Sequence, residues 1–163
     1  MATVRLEVRH LVGNAPRDET LPLTLIEWAD LTLNPILGCD YVGPECIRCY
    51  APHVMLRQAS FGREAHAQTI KMVKGKPVWT GEIVWNSPER RGEITRLLAR
   101  SRKLGRPLRV FVAALSDLFH PKAIAQGMTR EVYRTLRDNP GQHYIILTKR
   151  PEAAAQFYRD HPE

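Results

Sequence analysis

No stretch of this sequence is long and apolar enough to cross a membrane as a helix. Its longest apolar runs, Val110 to Leu115 and Tyr144 to Leu147, are strand-sized. A continuous apolar segment is also missing near the start, where Arg5, Glu7, Arg9 and His10 interrupt it, so no secretory signal is expected. Low-complexity tracts and domain linkers are absent too. The 163 residues are therefore expected to form one domain over 25–163, with a peripheral extension over 1–24. Cysteine is scarce. The chain holds three, an odd number crowded into one loop, which excludes a paired disulfide framework and suits a reducing cytoplasm.

Acidic residues are in the minority, 17 against 24 lysines and arginines, for a formal net charge of +7. Such a balance invites a polyanionic partner, nucleic acid or a phosphorylated cofactor. Many of the cations fall in one run, Arg90, Arg91, Arg96, Arg100, Arg102, Lys103, Arg106 and Arg109. No aromatic residues interleave them as on a platform that stacks single-stranded bases. A solvated helix face is the more ordinary reading of such a run, and the charge alone does not establish binding.

What is present is an alternation of strand and helix signals. Thr32 to Ile36, Glu82 to Trp85, Leu108 to Leu115 and His143 to Leu147 read as strands. Helices are expected over Cys46 to Ala59, from Ser87-Pro88 (an N-cap, then proline at N1) to Leu104-Gly105, over Thr129 to Arg137, and from Pro151 through Tyr158. Pro52 fits the first of these only in its opening turn. Residues 60–80 read as a long basic-polar connection without an assigned element. The expected fold class is α/β, a partial (β/α) TIM-like barrel of about four βα units on a parallel sheet.

Each expected strand ends in reactive or ligand-type residues. The first runs into the cysteine loop and the second into Asn86 and Ser87. The third is followed by Ser116, Asp117 and His120, the fourth by Thr148, Lys149 and Arg150. In parallel α/β folds the carboxyl ends of the strands carry the active site. Helix capping at Ser87 and turn chemistry at Asp117 explain part of the pattern without function.

Cys39, Cys46 and Cys49 lie in the run Gly38 to Tyr50. The Cys46-x-x-Cys49 spacing lets two sulfurs converge, and Gly43-Pro44 lets the loop from Cys39 turn back to them. Three thiolates can hold an iron–sulfur cubane with one iron left open for a ligand. With His53, four residues after Cys49, they could instead form a three-cysteine, one-histidine zinc site, a structural staple for a non-enzymatic nucleic-acid-binding module. Spacing alone leaves the two level.

Three segments carry a family resemblance. The first runs from Ile26-Glu27-Trp28-Ala29-Asp30 through Asn34-Pro35-Ile36-Leu37-Gly38-Cys39 to Cys46-x-x-Cys49-Tyr50-Ala51. The others are Phe111 to His120 and Leu147-Thr148-Lys149-Arg150-Pro151-Glu152. In this order they resemble the phage gene-product-37/gene-product-68 family, a group of radical-S-adenosylmethionine-like proteins of phages and bacteria.

The resemblance implies a 4Fe–4S cluster on Cys39, Cys46 and Cys49, with S-adenosylmethionine at the open iron. Reductive cleavage would then give a 5′-deoxyadenosyl radical acting on an unknown substrate, nucleic acid or nucleotide among the candidates. Asn86, Ser116, Asp117, Thr148, Lys149 and Arg150 would form the shell around the cofactor, with Arg150 or Lys149 meeting a carboxylate or phosphate. Leu33 stands where the family usually has tryptophan, and Gly43 and Glu45 replace its serine and glycine. The family also continues with further strands, so a missing C-terminal segment or a partner chain is expected to complete the barrel.

Overall fold

The computed structural model describes residues 26–86, 99 and 101–162. Its centre is a parallel sheet of three strands, β1 (Leu31–Leu33), β6 (Arg109–Val112) and β7 (His143–Ile146), with β6 in the middle. Register pairs Leu33 with Val112 and Val112 with Ile146, so the three carboxyl ends lie level along one edge. Leu108, Val110, Phe111 and Val112 are buried, the near-continuous apolar run that a central parallel strand requires.

The strand expected over Thr32 to Ile36 divides in two. Pro35 has no N–H for a ladder and restricts Asn34 before it, so β1 stops at Leu33. Ile36–Leu37 (β2) then pairs antiparallel with Val84–Trp85 (β5). The second expected strand therefore lies outside the parallel sheet, in a separate two-stranded ribbon.

The helix expected over Cys46 to Ala59 divides as well. Pro44–Arg48 form a 3₁₀ turn, Cys49 is extended, and α1 runs over Ala51–Ser60 with Pro52 in its first turn. The unassigned 60–80 connection contains α2 (Glu64–Ala67) and an antiparallel hairpin of β3 (Ile70–Val73) and β4 (Lys76–Trp79). Lys74 and Gly75 at its turn both have positive φ, 49° and 75°, which matches the right-handed twist of a two-residue hairpin.

Beyond β6, α3 (Pro121–Ala125) is capped by His120, whose Nδ1 accepts from Lys122 N. It is followed by α4 (Met128–Arg137) and, after β7, by α5 (Pro151–Asp160). The main core packs Leu33, Ile36, Val110 and Val112 of the strands against Leu118, Phe119, Val132, Leu136 and Phe157. A smaller core of Leu37, Ala51, Met55 and Trp79 lies under the cysteine loop, with Cys39 and Cys49 packed against it.

Ser87, Arg90, Arg91, Arg96 and Arg100 lie outside the described residues, as does the start of the helix expected to follow Ser87; its last turn, 101–104, is helical, and Gly105 follows it in a turn. Two other members of the basic run are used structurally. Buried Asp30 receives Arg109 N at 2.7 Å and Arg109 Nε and Arg106 Nη1 at 3.3 Å, which ties the start of β1 to the start of β6. Among the described residues no helix is long and apolar enough to cross a membrane.

Candidate functional site

At the carboxyl edge of the parallel sheet, the turn after β6 and the turn after β7 meet on one carboxylate. Asp117 Oδ1 accepts from Phe119 N at 3.0 Å and from Thr148 Oγ1 at 2.7 Å. Its Oδ2 accepts from Arg150 Nη1 at 2.8 Å and from Lys149 N at 3.4 Å. Thr148 Oγ1 in turn accepts from Arg150 N at 3.0 Å, so the segment that opens α5 is held at both its backbone and its side chains.

The cysteine loop reaches this edge because Gly38 lets it. Gly38 has φ +99°, pairs by a parallel bridge with Ser116, and passes so close to the ribbon that a Cβ would stand 2.0 Å from Glu82 O. Only glycine fits that conformation and that gap. The next residues then face the basic side chains of the β7–α5 turn. Arg150 Nη1 lies 3.9 Å from Cys39 Sγ, and Lys149 Nζ lies 3.6 Å from Cys46 Sγ. Arg150 Nη2 also pairs with Asp40, whose other oxygen is 3.2 Å from His120 Nε2, without the geometry of a hydrogen bond.

Burial decides the electrostatics here. It pushes the Cys39 thiol up to about 11, against the downward pull of Arg150. Burial also opposes the charge on Arg150, but Asp117 and Cys39 more than compensate and hold the guanidinium above its ordinary value. For His120 burial wins over Asp40, so the imidazole is held below its ordinary value.

The structure thus brings together Asp117, Thr148, Lys149 and Arg150 with Cys39 and Cys46. Ser116 borders the group through Gly38, and its Oγ is buried with no hydrogen-bond partner. Asn86 does not join this group; it donates from Nδ2 to Asn34 O at 2.8 Å and lines a pocket beside the loop. Asp40 is the member that sequence reasoning passed over, although its place directly after Cys39 was a signal.

Glu45 is exposed, and its carboxylate folds back over Gly43, where a Cβ would stand 2.7 Å from Oε2. His53 is exposed on α1. Among the described residues no three His, Cys, Asp or Glu side chains converge as the ligands of one metal ion would, with or without His53. The fit to a metal centre is one of donor chemistry, three thiols on one loop with two cations against their sulfurs.

Beside the loop lies an open pocket of about 360 Å³, lined in part by Tyr50, Arg63, Asn34 and Asn86. Tyr50 spans from the loop to the turn after β6, donating its hydroxyl to Ala114 O at 2.9 Å.

The model of a family described as a protein of unknown function, DUF5131, matches residues 23–163. No curated protein and no solved structure matches the chain.

Proposed function

The chain belongs to the DUF5131 family, and from its residues and their arrangement we propose that it is a cytoplasmic iron–sulfur protein of the radical S-adenosylmethionine type. One observation carries the reading: its three cysteines share one loop, and Lys149 and Arg150 direct their cations onto the sulfurs of Cys46 and Cys39. Cys39, Cys46 and Cys49 would hold a 4Fe–4S cluster. When bound with S-adenosylmethionine, such a cluster supplies the electron that cleaves a carbon–sulfur bond of the sulfonium.

The chain's own residues prepare that site. Arg150, clamped between Asp117 and Asp40, sets a fixed positive charge beside Cys39 and favours its thiolate against the cost of burial. Lys149 does the same at Cys46 from a more exposed position. Ser116 Oγ, buried and unpartnered, offers a polar contact to a bound ligand. The parallel order β1-β6-β7, with the site at its carboxyl edge, supports an arc of a (β/α) barrel. The net charge of +7 supports a nucleic acid or nucleotide as substrate.

Anaerobic reconstitution with iron and sulfide, followed by electron paramagnetic resonance of the reduced protein, tests the reading. The expected result is a cluster signal that changes when S-adenosylmethionine is added. A protein that retains zinc and shows no cluster signal would overturn it.

A further inference from the structure

The pocket beside the cysteine loop has a volume of about 360 Å³, a size suited to a small molecule. It opens at the carboxyl ends of the strands, where Asn34 follows β1 and Ala114 and Leu115 follow β6. Tyr50, Val54 and Gln58 form its opposite wall. Their spacing of four residues puts them on one face of α1 and its N-cap. Arg63, at the N-cap of α2, closes one side.

Charge is the telling feature. The lining contains no aspartate or glutamate. Four arginines among the described residues are half-buried: Arg63, Arg106, Arg109 and Arg150. Arg106 and Arg109 pair with Asp30, and Arg150 pairs with Asp117 and Asp40. Arg63 alone has no carboxylate. Its side chain donates from Nη1 to the neutral Oε1 of Gln58. A guanidinium has five donors in a planar fork, so most of this one remains available to an incoming acceptor.

Asn34 adds a neutral donor. Its Oδ1 accepts from Leu115 N at 3.1 Å, which leaves the amide nitrogen with no intramolecular acceptor among the described residues. The backbone beneath is held in an unusual conformation. Ala113 has φ +60°, rare for a residue with a side chain, and it turns Ala114 and Leu115 towards the pocket.

We infer that this pocket binds a small organic oxyanion, a carboxylate or a phosphate monoester on a compact body, with Arg63 taking the charged end and Asn34 donating beside it. Tyr50 follows Cys49 directly and lines the pocket, so the ligand sits next to the cysteine loop. That this ligand is the substrate rests on the iron–sulfur reading above; the binding itself does not.

Isothermal titration of the purified full chain tests it, with benzoate and phenyl phosphate as probes and benzamide and phenol as their neutral counterparts. At least one anion should bind saturably, and about tenfold or more tightly than its neutral counterpart, the range for charge-assisted hydrogen bonds. The stronger of the two arms identifies the carboxylate or the phosphate ester. Arg63→Gln should weaken that binding by a similar factor.

Gln58→Glu is the sharper variant, because it supplies Arg63 with an internal carboxylate. It should keep or raise the melting temperature while abolishing anion binding, which misfolding cannot imitate. Replacing all three cysteines with serine should leave the titration unchanged, whereas it removes any cluster, so failure of either claim is seen separately. Equal binding of anion and neutral probe, no binding of either anion, or wild-type affinity in Gln58→Glu would each overturn the inference.

Discussion

At Asp117 a single buried carboxylate accepts from Phe119 N, Thr148 Oγ1, Lys149 N and Arg150 Nη1, so both oxygens are occupied. Asp117→Asn would keep the shape, remove the charge opposite the half-buried Arg150, and turn an amide N–H₂ towards donors. The expected loss is about 3–5 kcal/mol of stability, the range for breaking a buried pair from one side. Thr148→Ala, which deletes two hydrogen bonds, one donated to Asp117 and one accepted from Arg150 N, should cost about 2 kcal/mol. Urea midpoints of the two variants check the ranking, and a smaller loss for Asp117→Asn than for Thr148→Ala would contradict it.

Gly38→Ala makes a second case at this scale, since its Cβ would meet Glu82 O at 2.0 Å in a backbone at φ +99°. It should destabilise by about 2–4 kcal/mol and displace Cys39. Of these residues Asp117 and Arg150 were legible from the ends of their strands. Gly38 was not, because its need for glycine comes from the approach of Glu82, 44 positions away in the chain.

Among the elements, the strand β6 and the helices α4 and α5 were legible because their signals are local. Leu108 to Leu115 is almost entirely apolar, and Val132, Tyr133 and Leu136 recur at helical spacing. Breaks inside an apolar run were harder to see. Pro35 divides β1 from β2, and extended Cys49 divides the 3₁₀ turn from α1. The β3–β4 hairpin escaped notice because Lys74-Gly75 replaces the usual Asn-Gly or Asp-Gly signal of such a turn.

The clamp between β1 and β6 gives a pH prediction. Burial alone would raise the Asp30 carboxyl, but hydrogen bonds and charge from Arg109 and Arg106 outweigh it and hold it below its ordinary value. A depressed carboxyl stabilises the fold fully above its unfolded value, about 3.9, and that contribution disappears as pH falls through the lower folded value. Wild type should therefore exceed Asp30→Asn by about 2 kcal/mol or more at neutral pH. The gap should narrow only below about pH 4. Urea midpoints across pH would show this, and a gap independent of acid would refute the ionic role.

Over the whole molecule, the parallel sheet gathers onto one edge what the sequence separates by more than a hundred residues: Cys39 and Cys46 on one side, Lys149 and Arg150 on the other. The rule that strand ends carry the site anticipated this assembly for Asp117, Thr148, Lys149 and Arg150. Asn86 stays apart from that group and lines the pocket beside the loop instead, because β5 belongs to an antiparallel ribbon with its own neighbours, Asn34 and Pro35. The pocket at Arg63 was invisible in sequence, since Arg63 and His66, which close one side of it, belong to α2 and its N-cap, in the stretch where no element was assigned.

The central claim is that the three cysteines hold an iron–sulfur cluster, and the most direct test is the iron and acid-labile sulfide content of anaerobically purified protein. The account predicts about four of each per chain when the cluster is fully loaded, and loss of both when Cys39, Cys46 and Cys49 are replaced by serine. Stoichiometric zinc without sulfide, or iron retained in the serine variant, would contradict it.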